Sequence, residues 1–516
     1  MVEGSGRGGR AGRRRAGGAA APNPLSSQAP FTQPILGLEP TKAVSEDELE
    51  AIHLASLRVL RETGIDFLNV EARAILAAHG ADVDGDRVRF APELIEAMVA
   101  NAPAQFHLHA RNPAHDLEIG GNHVAFASVA SAPNVAGLDG PRRSGNRADY
   151  QNLLRLCQTF TSIHLVPGYP VEPIDVHASV RHLHATLDAY TLTDKVFHVY
   201  SLGRQRNRDA IEMTRIVRGV DQETFDVQPS LTTIINASSP LRYDDVMLEG
   251  VMEMSSRNQV VVITPFTLAG AMAPITLAGA LVLQNAEALA GVAFTQMVRA
   301  GSPVVYGGFT SNVDMRSGAP AFGTPEYLRT AMVGGQLARR YGLPYRSSNV
   351  NAANAVDAQA AYESVFSLWG AVMGGVNFLM HGAGWMEGGL HTSYEKLAID
   401  ADVLHMVARG LQPIIVDDAT LAVEAIAEVG PAGHFFGTQH TQDRYRDEFY
   451  EPLISDWRNF EAWTEAGRPT AFDKANQLVK RALAEFEAPP LDDAVAAELS
   501  SFVERRVAEG GVETDF

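Results

Sequence analysis

From about residue 121 to residue 410 the chain alternates short apolar, β-branched runs with longer amphipathic stretches. The runs are His123–Val129, Ile163–Val166, Val196–Ser201, Ser230–Asn236, Val260–Thr264, Pro303–Tyr306, Pro344–Ser348 and Phe378–Met380. They are apolar on both faces, as strands of a parallel sheet buried between layers must be. Helices are predicted between them over 148–160, 177–190, 206–218, 244–255, 276–300, 325–341 and 357–373, with a last one over 394–409. Eight strand–helix units are the number that closes a barrel. An open doubly wound sheet normally carries a glycine-rich phosphate turn after its first strand, and Ser128-Val-Ala-Ser-Ala-Pro is not one. The predicted class is therefore α/β, a (β/α)8 TIM barrel.

The flanks read differently. Residues 1–36 mix Gly, Ala and Arg without periodicity and are expected to be a flexible tail. Over 37–120 a small α+β cap is expected. Its first helix opens on Ser45 with Glu48 three residues on, a capping box, and closes near Gly64. Val83-Asp-Gly-Asp-Arg-Val signals a hairpin, and Pro92 opens a further helix. With the barrel assigned to 121–410, residues 411–516 remain as a helical extension. It comprises a helix over Thr420–Glu428, a histidine- and aromatic-rich stretch at 434–460, and two helices from about 471 and 491.

Composition narrows the function classes. The formal charge is −19, which argues against a nucleic-acid surface, since that requires clustered cations. The one cysteine, Cys157, permits neither an intramolecular disulfide nor a cysteine-based zinc site. No apolar run reaches the roughly 18 residues needed to span a membrane, on this reading. Arg13-Arg-Arg invites a twin-arginine export reading, but Ala16-Gly-Gly-Ala-Ala-Ala-Pro is too short and too weakly apolar for the segment that must follow. A cytoplasmic protein, without nucleic-acid or membrane partners and forming a homo-oligomer, is expected.

In a barrel of this kind the chemistry sits in loops after the strand C-termini. The sixth strand is followed by Gly307-Gly-Phe-Thr-Ser-Asn, the seventh by Ser347-Ser-Asn-Val-Asn, and the eighth by His381-Gly-Ala-Gly-Trp-Met-Glu-Gly-Gly. Trp385 and Glu387 offer an aromatic face and a carboxylate, a combination suited to a cationic amine. Phe309, Tyr200 and Phe266 end or follow other strands and could complete a cage, although aromatics at strand ends also serve packing alone. His381, directly after a buried strand, is either a hydrogen-bonded core histidine or a contact to a bound molecule. His177, His182 and His184 share one predicted helix without ligand spacing, so no bound metal is expected. No Walker loop, nucleophile elbow or His-Glu-x-x-His motif occurs.

Longer stretches carry a resemblance. Pro344-Tyr-Arg-Ser-Ser, Asp357-Ala-Gln-Ala-Ala-Tyr-Glu-Ser, Asn377-Phe-Leu-Met-His-Gly-Ala-Gly-Trp-Met-Glu-Gly-Gly-Leu and Ser393-Tyr-Glu-Lys resemble the trimethylamine methyltransferase family. So do Gly430-Pro-Ala-Gly-His-Phe-Phe-Gly-Thr-Gln-His-Thr, Ser455-Asp-Trp, and Leu138-Asp-Gly-Pro-Arg-Arg with Ala148-Asp-Tyr. The resemblance spans nearly the whole chain. It implies a barrel that receives the corrinoid (cobalamin) of a separate small protein at its open end and passes a methyl group from a small methylated amine to Co(I). Trimethylamine-specific members carry pyrrolysine in the loop after the seventh strand; here that region holds ordinary residues, near Asn349 to Asn351. Members without pyrrolysine look like demethylases of quaternary amines such as glycine betaine, whose cationic nitrogen needs no further activation.

The strand-end loops and the resemblance together make Glu387, His381, Asn349 and Asn351 candidate catalytic residues, and Trp385, Phe309, Arg346, Ser348, Tyr200 and Phe266 candidate substrate contacts. Arg346 would hold a substrate carboxylate or, equally, form a structural ion pair. Three other readings stay open at this level. One is a barrel lyase or hydrolase using Glu387 and His381 as acid and base. The others are trimethylamine itself as methyl donor and a non-catalytic betaine-binding scaffold.

Overall fold

The computed structural model describes residues 24–514. Its centre is a closed barrel of eight parallel strands. In chain order they are β1 (Ala125–Ser128), β2 (Leu165–Pro167), β3 (Val196–Tyr200), β4 (Leu231–Ile235), β5 (Val260–Ile263), β6 (Val304–Gly307), β7 (Tyr345–Ser348) and β8 (Phe378–Ala383). β8 closes on β1 through Phe378↔Ala125 and Leu379↔Phe126. Every apolar run singled out in the sequence is one of these strands.

The connecting helices are α1 (Arg147–Thr159), α2 (Arg181–Leu192), α3 (Arg204–Arg218), α4 (Asp245–Ser256), α5 (Leu277–Val298), α6 (Pro325–Arg340), α7 (Ala358–Met373) and α8 (Tyr394–Gly410). Most open on a side-chain cap, such as Asn146 in α1, Thr324 in α6 and Asp357 in α7. The helix predicted from 177 starts only at Arg181, because His177 folds back onto the Ser179 hydroxyl in the preceding turn. Helix α5 is apolar around its circumference and satisfies membrane-span criteria of length and composition, which the sequence runs alone did not suggest. In the fold, 72% of its most apolar window is buried, between the barrel and the N-terminal cap.

The closed end of the barrel is filled by Ala125, Leu165, Val196, Val260, Val262, Val305 and Phe378. Beneath them lies a hairpin of Gln105–Leu108 and Leu117–Gly120, which inserts Leu108, Leu117 and Ile119 into the same cluster. The cap contains the predicted Ser45–Glu48 capping box and the hairpin of Asp82–Asp84 with Arg87–Arg89. It is stitched to the barrel: Ile65–Phe67 pairs with Arg242–Tyr243, and Asn285 of α5 donates to Ser56 Oγ at 3.0 Å.

The expected flexible tail falls partly outside the described residues, which begin at Pro24. From there the chain is ordered: Val124 N–H donates to Pro34 O at 2.9 Å and Leu36 N–H to Asn122 O at 2.7 Å. At the other end, Ala471–Ala484 packs on α8 and Asp493–Ala508 packs on α2 and α3. The segment between α8 and Ala471 is an arm of short helices. The helix expected over Thr420–Glu428 is broken at Ala422, whose φ is +52°. The arm leaves Ile414, Ile415, Val416, Phe436, Phe449, Trp457 and Phe460 exposed.

Candidate functional site

At the C-terminal end of the strands a cavity of about 540 Å³ opens between the loops. Residues from all eight strand–loop junctions reach it, among them Ser131 after β1, Glu172 after β2, His198 and Tyr200 of β3, Asn236 after β4, Thr264 after β5, Phe309 after β6, Arg346 of β7 and His381 of β8. A larger void of about 690 Å³ lies elsewhere, between residues 27–35, α8 and the arm. It is remote from the strand C-termini where this architecture gathers its chemistry.

Arg346 is the cavity's principal charge. It sits within β7, only 2% exposed, and among the described residues it has no carboxylate partner. Its one hydrogen bond runs to Gly308 O at 3.4 Å, and its Nε has no partner. The guanidinium lies over the Phe309 ring, 5.3 Å from the centroid. Burial lowers its pKa to about 10, so it is cationic at neutral pH. A buried unpaired charge is costly, and structures normally pair it.

The two histidines beside it are neutral. Burial, reinforced by the charge of Arg346, holds His198 at about 3 and His381 well below its ordinary range. His381 stands in a bulge at the end of β8 with a φ of +57°, a backbone state that non-glycine residues adopt at a cost. Ser348 Oγ lies 3.1 Å from its Nδ1, and its ring is 4.2 Å from that of Trp385. His198 Nδ1 is anchored by Thr232 Oγ1 at 2.8 Å.

Aromatic surfaces line one side. Phe266 and Phe309 stack at 5.1 Å, and Trp385 packs 6.1 Å from Phe309 with its indole N–H unpartnered. Gly389, at φ +94°, lies so close to the Trp385 ring that a Cβ there would approach it to 2.6 Å. Tyr200 closes the opposite side, its hydroxyl bonded to Ser131.

Six of the ten sequence-predicted residues therefore line one cavity: Arg346, His381, Trp385, Phe309, Phe266 and Tyr200. Four do not. Ser348 reaches it only through His381. Asn349 donates to Gly382 O, and Asn351 donates to Trp385 O at 2.7 Å, so both amides secure the eighth loop. Glu387 lies outside the lining, held by Arg142 Nε at 2.8 Å and His391 Nδ1 at 2.9 Å. A carboxylate so engaged is not placed to act with His381 as an acid–base pair. The arginine that restrains it comes from a hairpin, Asn134–Gly137 with Gly140–Ser144, that the apolar pattern does not reveal. His182 likewise bonds Asp209. Sequence reasoning missed His198, although a histidine inside an otherwise apolar strand run was the available signal.

Comparisons with known proteins identify the family. The family model described as trimethylamine methyltransferase (MTTB) matches residues 6–511. A glycine betaine methyltransferase of Desulfitobacterium hafniense (strain Y51) is 36% identical over 471 residues, covering 91% of this chain and 98% of that one. The trimethylamine methyltransferase MttB of D. hafniense (strain DSM 10664 / DCB-2) is 30% identical over 472 residues, covering 91% and 94%. The trimethylamine methyltransferase MttB2 of Methanosarcina mazei is 27% identical over 467 residues, covering 89% and 94%. A barrel with its cavity at the strand C-termini, matched along nearly its whole length, belongs to the trimethylamine methyltransferase family and is a methyltransferase.

Proposed function

We propose that the protein removes a methyl group from a small quaternary amine bearing a carboxylate, glycine betaine first among them, and delivers it to the Co(I) corrinoid of a partner protein. The observation that carries the substrate class is Arg346. A fully buried guanidinium without a counter-ion is explained by an anion that arrives with the ligand. Trimethylamine has no such group and would leave the charge unpaired.

The remaining residues suit that substrate. With the carboxylate at Arg346 in β7, the trimethylammonium end faces the loops, where Trp385 and Phe266 offer aromatic surface for cation–π attraction. Neutral His198 and His381 add no competing positive charge. When the C–N bond breaks, its electron pair stays on nitrogen and the product leaves as a neutral tertiary amine. No general acid is then required, and positioning in the cavity is the protein's main contribution.

The mouth fits a corrinoid carried by another protein: Leu202 and Leu390 present exposed apolar side chains at the rim. Such a group, when bound, supplies the nucleophilic cobalt that accepts the methyl. The partner must come and go with each turnover. The arm's exposed apolar side chains suit a permanent, hydrophobic contact better, and we assign them to a second copy of this chain. Calorimetric titration tests the substrate assignment. Wild-type protein should bind glycine betaine saturably and Arg346→Gln should not, whereas equal affinity in both would overturn it.

A further inference from the structure

The hairpin that plugs the closed end of the barrel has an outer face as polar as its inner face is apolar. Leu108, Leu117 and Ile119 point into the barrel cluster. On the other side, His107 pairs with Glu118 across the ladder, and His109 and Asp116 follow. The donor atoms of His107, His109 and Asp116 all lie within 4.8 Å of one another. Asp116 Oδ2 is 2.9 Å from His107 Nε2 and 3.6 Å from His109 Nδ1. Ligand atoms around a tetrahedral zinc ion stand about 3.3 Å apart, given metal–ligand bonds of about 2.0–2.1 Å. The two measured separations straddle that value.

The surrounding contacts orient these atoms. Asp116 Oδ1 is held by the Ala110 N–H at 2.7 Å, which turns Oδ2 toward the two imidazoles. His107 Nδ1 lies 2.7 Å from Glu118 Oε1, the carboxylate–histidine arrangement that fixes a ligand's tautomer, while Nε2 meets Asp116 Oδ2 at 2.9 Å, the contact an ion would replace. Gln105 in turn holds the other Glu118 oxygen at 3.2 Å. Two carboxylates outweigh the one nearby guanidinium, Arg218. We infer that this face is a surface site for a divalent transition-metal ion of the zinc class, bound by His107 Nε2, His109 Nδ1 and Asp116 Oδ2 with water in the fourth position. It lies at the closed end of the barrel and fastens the plug, apart from the methyl-transfer cavity.

The test uses full-length protein stripped with a chelator and titrated with Zn²⁺ alone by calorimetry and with Co²⁺ alone by visible absorption. The expected result is one ion per chain, with the intense Co²⁺ bands of a four-coordinate site. Losing an outer partner alone costs about 10–100-fold in affinity. Glu118→Gln should therefore weaken Zn²⁺ by that factor, and His107→Ala, His109→Ala or Asp116→Asn by more. His177→Ala is the control and should bind as wild type does. The ion should raise the melting temperature of the wild type and not that of His109→Ala, with both equal in chelator. No saturable binding, or unchanged affinity in both histidine variants, overturns the assignment and leaves an imidazolium bridging two carboxylates.

Discussion

Arg346 was visible in the sequence as a cation at the end of a strand; its isolation was not. Whether an arginine finds a carboxylate depends on seven other strand ends, and here the carboxylate that reaches the cavity, Glu172 after β2, lies beside Arg181 and not on Arg346. Glu387 shows the converse, since its partner Arg142 comes from a distant hairpin. Truncating one member of a buried charge pair typically costs about 2–5 kcal/mol. Arg346→Gln should therefore raise KM for glycine betaine by roughly 30-fold or more. Without substrate the same charge is a liability, so Arg346→Met should melt no lower than the wild type. Betaine should raise the melting temperature of the wild type alone. A destabilised ligand-free Arg346→Met would instead mean that the guanidinium has a structural partner.

At the scale of elements, the eight strands were legible because each is an apolar run long enough to stand out. The sheet that carries Trp385 was not. It joins Trp385–Met386 and His391–Ser393 to the Asn134–Gly137 hairpin, and its outer strand, Gly140–Ser144, is exposed and charged. Beneath this loop lies a buried ion pair: Lys396 Nζ is 2.6 Å from Asp400 Oδ2, which also accepts the Gly384 N–H at 2.9 Å. Lys396 further donates to Ser364 Oγ, which receives the amide of Asn351. Removing one partner of such a pair leaves a charge uncompensated and costs about 3–5 kcal/mol. Lys396→Met should lose that much in urea unfolding and also raise KM for betaine, because the Trp385 loop loses its brace. The double variant Lys396→Met, Asp400→Leu should recover most of the stability. A single variant as stable as the wild type would show that the pair is not a brace.

At the scale of the whole molecule, buried neutral histidines set the response to acid. Burial first, and then the charge of Lys195, brings His164 down to about 3, and His198 is at about 3 as well. An unfolded histidine takes up a proton near 6.5. Below that pH the unfolded chain gains protons that these folded sites refuse, so stability is full above about 6.5 and falls as pH drops toward 3. Each such group contributes a slope of up to about 1.4 kcal/mol per pH unit. The melting temperature should decline from pH 6.5 to 4.5, less steeply in His164→Gln, and a flat profile would contradict the burial of neutral imidazoles. The arm is testable on the same scale. Phe436→Ser with Trp457→Ser should shift the protein to a smaller species in analytical ultracentrifugation, and an unchanged mass would remove the arm from the interface. The barrel and its open end were readable from periodicity, whereas the arm's short helices and unburied aromatics carried no period to read.

The most direct measurement of the central claim is methyl transfer from a panel of amines to free Co(I) cobalamin, catalysed by the full-length protein. Methylcobalamin should form from glycine betaine and related carboxylate-bearing quaternary amines, with trimethylamine far slower. Faster turnover of trimethylamine than of any betaine, or no turnover of a betaine at all, would contradict the account.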